Sequence, residues 1–385
     1  MTIIELLEKY KLPKCRGDKN FIYFINDFLN EYLKDLEYIK PQLNGINEIK
    51  ICDPLLKKGD TLGEYISKNT SHIDDEYLKK LYSNIKNNIG LANDLAKEIV
   101  KSLEDYFSGN VANAYQILEE AVNKYLDRLT GSLESLESGI NYSIMTLGRS
   151  GNIFFRIRSC NQGELYNKKQ MYHIPFSKRY LVRRQRYSIE GYPCLYLGKS
   201  GKICWCECNK PKDFNLIALK LKNDLMVKKF LLFYIEPSSL ARDLKLSPVT
   251  DSNKFEKFII NYMITYPIVA AASMVRSDVT SEFIPEYIVP NLILQYLKNN
   301  ESELGGILYF TCKTGIDGLK QNENINLVIP TIWDKHSNED YDYKLINKIQ
   351  FSEVKSVSLN NYCVDVPPEL FGEIEDKICQ CFKDE

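Results

Sequence analysis

Residues 186–211 read RYSIEGYPCLYLGKSGKICWCECNKP and bring together Arg186, the tyrosines Tyr187 and Tyr196, and one carboxylate, Glu207, set among Cys204, Trp205, Cys206 and Cys208. A carboxylate in apolar surroundings is costly unless a partner or a reaction uses it, so Glu207 is the first candidate for chemistry. Upstream, in NIFFRIR, strand alternation puts Phe154, Arg156 and Arg158 on one face and Phe155 and Ile157 on the other. Arginines on one side of a strand offer bidentate donors suited to a diphosphate. The same alternation also describes a solvated strand face with its phenylalanines inward, and both readings stand at this level.

Gly198-Lys199-Ser200 has the look of the end of a phosphate-binding loop. That loop, G-x-x-x-x-G-K-[ST], requires a glycine at position 193, where this chain has Pro193. A nucleotide triphosphatase is therefore excluded on its own motif. No G-x-G-x-x-G, G-x-S-x-G or H-E-x-x-H occurs, which argues against dinucleotide-fold redox chemistry and the common hydrolases. Cys204, Cys206 and Cys208 follow C-x-C-x-C, and the three histidines, His72, His173 and His336, are far away in sequence, so no metal is expected.

The elements that must position these residues change character along the chain. Up to about residue 145 the apolar positions follow a helical period: Phe21, Phe24, Ile25, Phe28, Leu29, Tyr32, Leu33 and Leu36 in one stretch. A second runs from about Asp75 to Phe107, and a third from about Asn113 to Leu129. Beyond 140–150 the pattern predicts strands at 152–158, 194–198, 215–221, 230–236, 306–311, 326–330 and 355–359. Helices are expected near 253–265, 286–298 and 367–382. The whole is expected to be α+β, a helical bundle followed by a mixed-sheet domain.

The 385 residues suffice for two to three domains, and 44% hydrophobic, 26% charged and 12% aromatic residues make an ordinary globular balance. Fifty Lys and Arg against 51 Asp and Glu leave a formal charge of −1, so no overall field collects nucleic acid or anionic lipid. The local exception is the basic run SKRYLVRRQRYS, with Lys178, Arg179, Arg183 and Arg184 ahead of Arg186. Eleven cysteines without a secretory signal suggest reduced thiols, and the most apolar run, YPIVAAASMV, is too short to span a membrane. The expected location is cytoplasmic.

The segments FFRIR, RYSIEGYPCLYLGKSGKICWCE, YPIVAAASM, FIPEYIVPNLILQYLK, GGILYFT and NLVIP together resemble the RES-domain family, named for arginine, glutamate and serine. The resemblance covers roughly residues 146–365. Its most specific element is R-(x)₉-Y-(x)₁₀-E, met by Arg186, Tyr196 and Glu207. It implies the fold of the ADP-ribosyltransferase toxins and an activity that consumes NAD⁺. It implies domains at 1–145 (helical), 146–365 (catalytic) and 366–385 (closing helix).

Carried over to this chain, the resemblance makes Arg156 and Arg186 the NAD⁺-facing arginines, Tyr196 the nicotinamide-side aromatic and Glu207 the catalytic acid. Thr311 stands where the family has its serine, Asn326 matches the asparagine that commonly follows, and Tyr187 and Ser200 complete the NAD⁺-binding set. NAD⁺ would be a consumed substrate rather than a cofactor, split at its nicotinamide–ribose bond by phosphorolysis or hydrolysis, with phosphate as a candidate partner. Such an enzyme would act as a bacterial toxin or anti-phage effector, with an antitoxin or immunity protein as partner and a homo-oligomer as a candidate state. The helices ahead of it resemble HEPN-type domains but lack their R-x₄₋₆-H nuclease motif. Two alternatives stand beside this: transfer of ADP-ribose to a protein or nucleic acid, and a degenerate RES-like binding protein, which the threonine at 311 would favour.

Overall fold

Helical period and strand alternation sort the chain into two units in the computed structural model, which describes residues 1–10, 13–14, 20–43, 49–52, 70–72, 74–137, 151–246, 252–276, 281–313, 324–336, 338–359 and 368–382. The expected domain boundary at 140–150 lies outside the described residues. The first unit draws on Met1–Thr130 and Ile235–Leu292, the second on Gly131–Glu137, Leu147–Tyr234 and Ile293–Glu385. Ile235–Leu292, which falls inside the expected 146–365, groups with the N-terminal helices. Likewise the closing helix, Pro368–Cys379, is part of the second unit and not a separate element.

In the first unit, helix Phe21–Glu37 buries Phe21, Ile25, Leu29, Tyr32, Leu33 and Leu36 on one stripe, and Asn20 caps it by accepting from the Ile22 N–H at 3.0 Å. The stretch expected as one helix over 75–107 is two, Asp75–Asn87 and Ile89–Phe107. Asn88 sits between them at ψ 2°, where Asn87, Asn88 and Gly90 concentrate weak helix formers. Helix Val111–Leu129 packs along Ile89–Phe107.

The centre of this unit is Ser252–Ala272, which continues past the expected end at 265 and is buried on all sides from Tyr262 onward. It contains Pro267, which has no N–H to offer the carbonyl four residues earlier. That carbonyl belongs to Met263, and the buried Tyr32 hydroxyl donates to it at 2.7 Å. The helix survives its proline because a side chain from Phe21–Glu37 replaces the missing donor.

Among the described residues the second unit carries a mixed sheet of nine strands: β1 Thr130–Ser132, β2 Ile153–Ser159, β3 Cys194–Gly198, β4 Asp213–Leu221, β5 Lys229–Phe233, β6 Leu304–Phe310, β7 Ile325–Pro330, β8 Ile349–Phe351 and β9 Lys355–Ser358. Their order is β8-β4-β2-β3-β7-β6-β5-β1, with β9 also pairing β4. Only β5 and β6 of the registered pairs run parallel. Helix Gly201–Glu207 and the closing helix cover one face, where Ile153, Phe155, Ile157, Ile203, Phe214, Leu216, Ala218, Phe371 and Ile378 form a continuous apolar cluster. The α+β class is the one expected.

Candidate active site

The connector Gly198-Lys199-Ser200 is where the site begins. Ser200 is extended at φ −138° and its Oγ accepts from the Ile203 N–H at 3.1 Å, so it starts helix Gly201–Glu207 as an N-cap. A Cβ on Gly198 would lie 2.6 Å from Ile203 Cγ2 and 2.7 Å from Cys204 Sγ, so only glycine lets the helix fold back this closely on its strand. Lys199 is buried and donates to the carbonyls of Gly151 and Ile153 at 3.1 and 2.9 Å. The lysine and serine of this sequence are structural pieces of a turn, and the Ser200 hydroxyl caps the helix by accepting a hydrogen bond.

That helix wedges open the sheet. β2 and β3 share one registered pair, Phe155 with Gly198, while β2 and β4 share seven. Beyond that pair, side chains take the place of the missing ladder. Cys204 Sγ lies 3.1 Å from the Phe155 carbonyl and Cys208 Sγ 3.6 Å from that of Ile157, one helical turn apart on one helix face. Arg156 Nη1 donates to the Tyr196 carbonyl at 2.6 Å, and its Nε is buried with no hydrogen-bond partner. Burial, reinforced by Arg158, pulls the Arg156 pKa down to about 10. Arg158 itself donates to the Tyr172 carbonyl at 3.2 Å. Arg156 thus holds main chain across the opening and Arg158 holds the Tyr172 carbonyl, so neither is simply a solvated face.

Glu207, at the last turn of the helix, projects toward the ends of β6 and β7. Its Oε1 accepts from Thr311 Oγ1 at 2.6 Å and from Asn326 Nδ2 at 3.1 Å. Three residues named from the sequence thus meet at one oxygen. Thr311 is buried just past β6, and its N–H donates to the Asn324 carbonyl at 3.2 Å. Asn326 pairs with Gly198 on one side and Tyr309 on the other, which places it in the row of the sheet that the helix end overhangs.

The aromatic side of the site is a second group. Tyr196 Oη donates to the Tyr187 carbonyl at 2.6 Å. The Tyr187 ring is buried 4.8 Å from the Tyr309 ring at 53°, and its hydroxyl has no hydrogen-bond partner. Burial holds the Tyr309 phenol well above the ordinary tyrosine range, pushed further by the charge of Glu207 and the Tyr187 phenol and opposed by Arg186. Tyr309 is thus within electrostatic reach of both Glu207 and Arg186. Residues 186, 187, 196, 207, 309, 311 and 326 all belong to the second unit, and Ser200 supports them from the far end of the helix.

Sequence reasoning missed two members. Tyr309 follows the ordinary pattern of a strand tyrosine, and only its place two residues before Thr311 could have marked it. Lys313, two residues after Thr311, donates from Nζ to the carbonyls of Cys206 at 3.1 Å and Glu207 at 2.7 Å. In the basic run, Arg179 lies over the rings of Phe176 and Trp333 at 5.3 and 4.8 Å. Among the described residues no group of three His, Cys, Asp or Glu side chains could hold a metal ion, and no helix is long and apolar enough to cross a membrane.

Comparison with known proteins adds one relative. The chain is 31% identical over 274 residues to a protein of Bacillus subtilis (strain 168) described as "Putative toxin YopC", an alignment that takes in 68% of this chain and 59% of that protein. The chain therefore spans less than two thirds of the relative's length. No family model matches the chain. No solved structure matches it.

Proposed function

We propose that the chain splits the bond between nicotinamide and ribose in NAD⁺ and acts as a toxin of the RES-domain kind, on an ADP-ribosyltransferase-like sheet. The observation that carries this reading is the Glu207 carboxylate, held at Oε1 by the two uncharged donors of Thr311 and Asn326 next to the Tyr187–Tyr309 ring pair. When the C1′–N1 bond breaks, nicotinamide leaves neutral with the bonding electron pair and positive charge develops on the ribose. A carboxylate fixed beforehand near that carbon stabilises the charge without reorganising, as the carboxylates of glycosidases do. Thr311 and Asn326 hold Oε1, and Oε2 accepts no hydrogen bond from either of them. The nicotinamide is cationic until it leaves, and an aromatic face suits it; the half-buried Tyr309 offers one, backed by the buried Tyr187 ring.

Water adding to C1′ gives ADP-ribose and releases a proton; phosphate gives ADP-ribose 1-phosphate. The toxin reading rests on the likeness to the B. subtilis protein described as one, and a toxin of this kind calls for an antitoxin or immunity partner. The hydroxyl of Thr311 supports an intact site over a degenerate one, since it makes the contact that a serine there would make. The test is nicotinamide release by the purified chain from radiolabelled NAD⁺, with and without phosphate, against Glu207→Gln. Release that depends on Glu207, with label in ADP-ribose or its 1-phosphate, is the expected result. Label on macromolecules would replace cleavage by transfer, and no release under any condition would end the enzyme reading.

A further inference from the structure

We infer that Lys313 is a positioning residue for Glu207, setting the carboxylate through both its main chain and its charge. This rests on the proposed cleavage of NAD⁺ at Glu207. The helix bearing Glu207 ends in a Schellman pattern: the Asn209 N–H reaches the Cys206 carbonyl at 3.1 Å and the Lys210 N–H reaches that of Trp205 at 2.9 Å. Asn209 and Lys210 both have positive φ, 62° and 53°, and neither is glycine. Asparagine tolerates that region and lysine adopts it at a cost, so something must hold the second of two successive left-handed residues.

The closing turn leaves the Glu207 carbonyl without a main-chain donor, and Lys313 supplies it. The same ammonium donates to Cys206 O and to Asn209 Oδ1 at 2.9 Å, and lies 3.8 Å from Glu207 Oε2. A cation at a helix C-terminus is favourable in itself. Here it also ties down the strained turn and stands beside the one Glu207 oxygen that Thr311 and Asn326 do not hold. Thr311 and Lys313 are two residues apart, so a single stretch of chain holds Oε1 of Glu207 by a hydrogen bond and faces Oε2 with a cation.

The experiment measures steady-state nicotinamide release for the full chain and for Lys313→Met, Lys313→Gln and Lys313→Arg, with thermal midpoints for each. Lys313→Met is expected to lower kcat about 30-fold with KM for NAD⁺ within about threefold, the signature of an interaction made in the transition state. Lys313→Gln keeps a donor for the helix carbonyls without the charge and is expected to stay folded at reduced kcat. Lys313→Arg is expected to recover to within about fivefold of wild type, since it restores both donor and charge. A capping role alone would lower the thermal midpoint and leave kcat per folded molecule unchanged, and that outcome, or a loss confined to KM, overturns the assignment. Should Lys313→Met fail to fold, wild-type kcat in Lys313→Gln overturns it equally. Turnover that needs Glu207 but is indifferent to Lys313 removes this inference and leaves the proposed function standing, whereas an inert wild-type chain removes both.

Discussion

Thr311 Oγ1 and Glu207 Oε1 are 2.6 Å apart, joined across the sheet from the end of β6 to the end of helix Gly201–Glu207. A hydroxyl is the only part of Thr311 that this bond uses. Thr311→Ser is therefore expected to keep nicotinamide release within about threefold of wild type. Thr311→Val removes a hydrogen bond to a charged group, worth about 1.5–3 kcal/mol, and is expected to cost about 10- to 100-fold in kcat. Equal losses in the serine and valine variants would show that the methyl group, and not the hydroxyl, is what the site needs.

How much of this could be read from residues alone varies by element. Seven of the nine strands described in the sheet were legible because alternation and turn residues marked them, whereas Thr130–Ser132 and Ile349–Phe351, three residues each, are too short to show a period; Arg186, Tyr196 and Glu207 could be ordered along one segment. What residue types could not disclose was commitment. Residue types do not show that Arg156 and Ser200 also serve the protein itself, at the Tyr196 carbonyl and the Ile203 N–H. Lys313 reads as a solvated lysine after a strand, since its partners are main-chain carbonyls about a hundred residues away. The segment YPIVAAASM fails for another reason: a helix buried on all sides has no polar face, so no period announces it and Pro267 looks like its end.

Gly198 sets how closely helix Gly201–Glu207 approaches the sheet, and through the helix it sets where Glu207 lies. Gly198→Ala brings a methyl within 2.6–2.7 Å of Ile203 and Cys204, neither of which can swing away inside the apolar cluster. Overpacking of this kind costs about 1–3 kcal/mol. A urea midpoint shift of that size is expected, together with a loss of nicotinamide release that exceeds any loss of folded protein. Retained activity at lowered stability would mean that the helix and Glu207 move independently.

Tyr32 and Pro267 form a testable pair in the helical unit. Tyr32→Phe removes the donor from the buried Met263 carbonyl, which Pro267 cannot serve. The unmet acceptor is expected to cost about 1–3 kcal/mol. In a Pro267→Ala background the alanine N–H can take that carbonyl, so the same Tyr32→Phe change should cost less, with a coupling of about 1 kcal/mol in a double-mutant cycle. Additive effects would show that the tyrosine contributes by packing alone.

His173 makes stability depend on pH in a direction that the geometry fixes. The ring is fully buried, its Nε2 accepts from the Asp342 N–H at 2.9 Å, and Nδ1 lies 2.7 Å from the Ile174 carbonyl, which assigns the proton to Nδ1. Protonating Nε2 would abolish the bond to Asp342. Burial pulls the pKa down to about 4, with Arg156 and Arg158 adding to the effect and the Ile174 carbonyl opposing it. Unfolded, the ring titrates near its ordinary 6.5. The unfolded chain therefore binds a proton that the folded chain refuses between those values, so this contribution is intact above about pH 6.5 and is lost as pH falls toward 4. At pH 4.5 the loss from this one group is about 2–3 kcal/mol. Urea unfolding at pH 7 and 4.5 should show that difference in wild type and a smaller one in His173→Gln, which keeps an acceptor for Asp342 but has no proton to gain. An identical pH slope in the two proteins would assign the acid sensitivity to other groups.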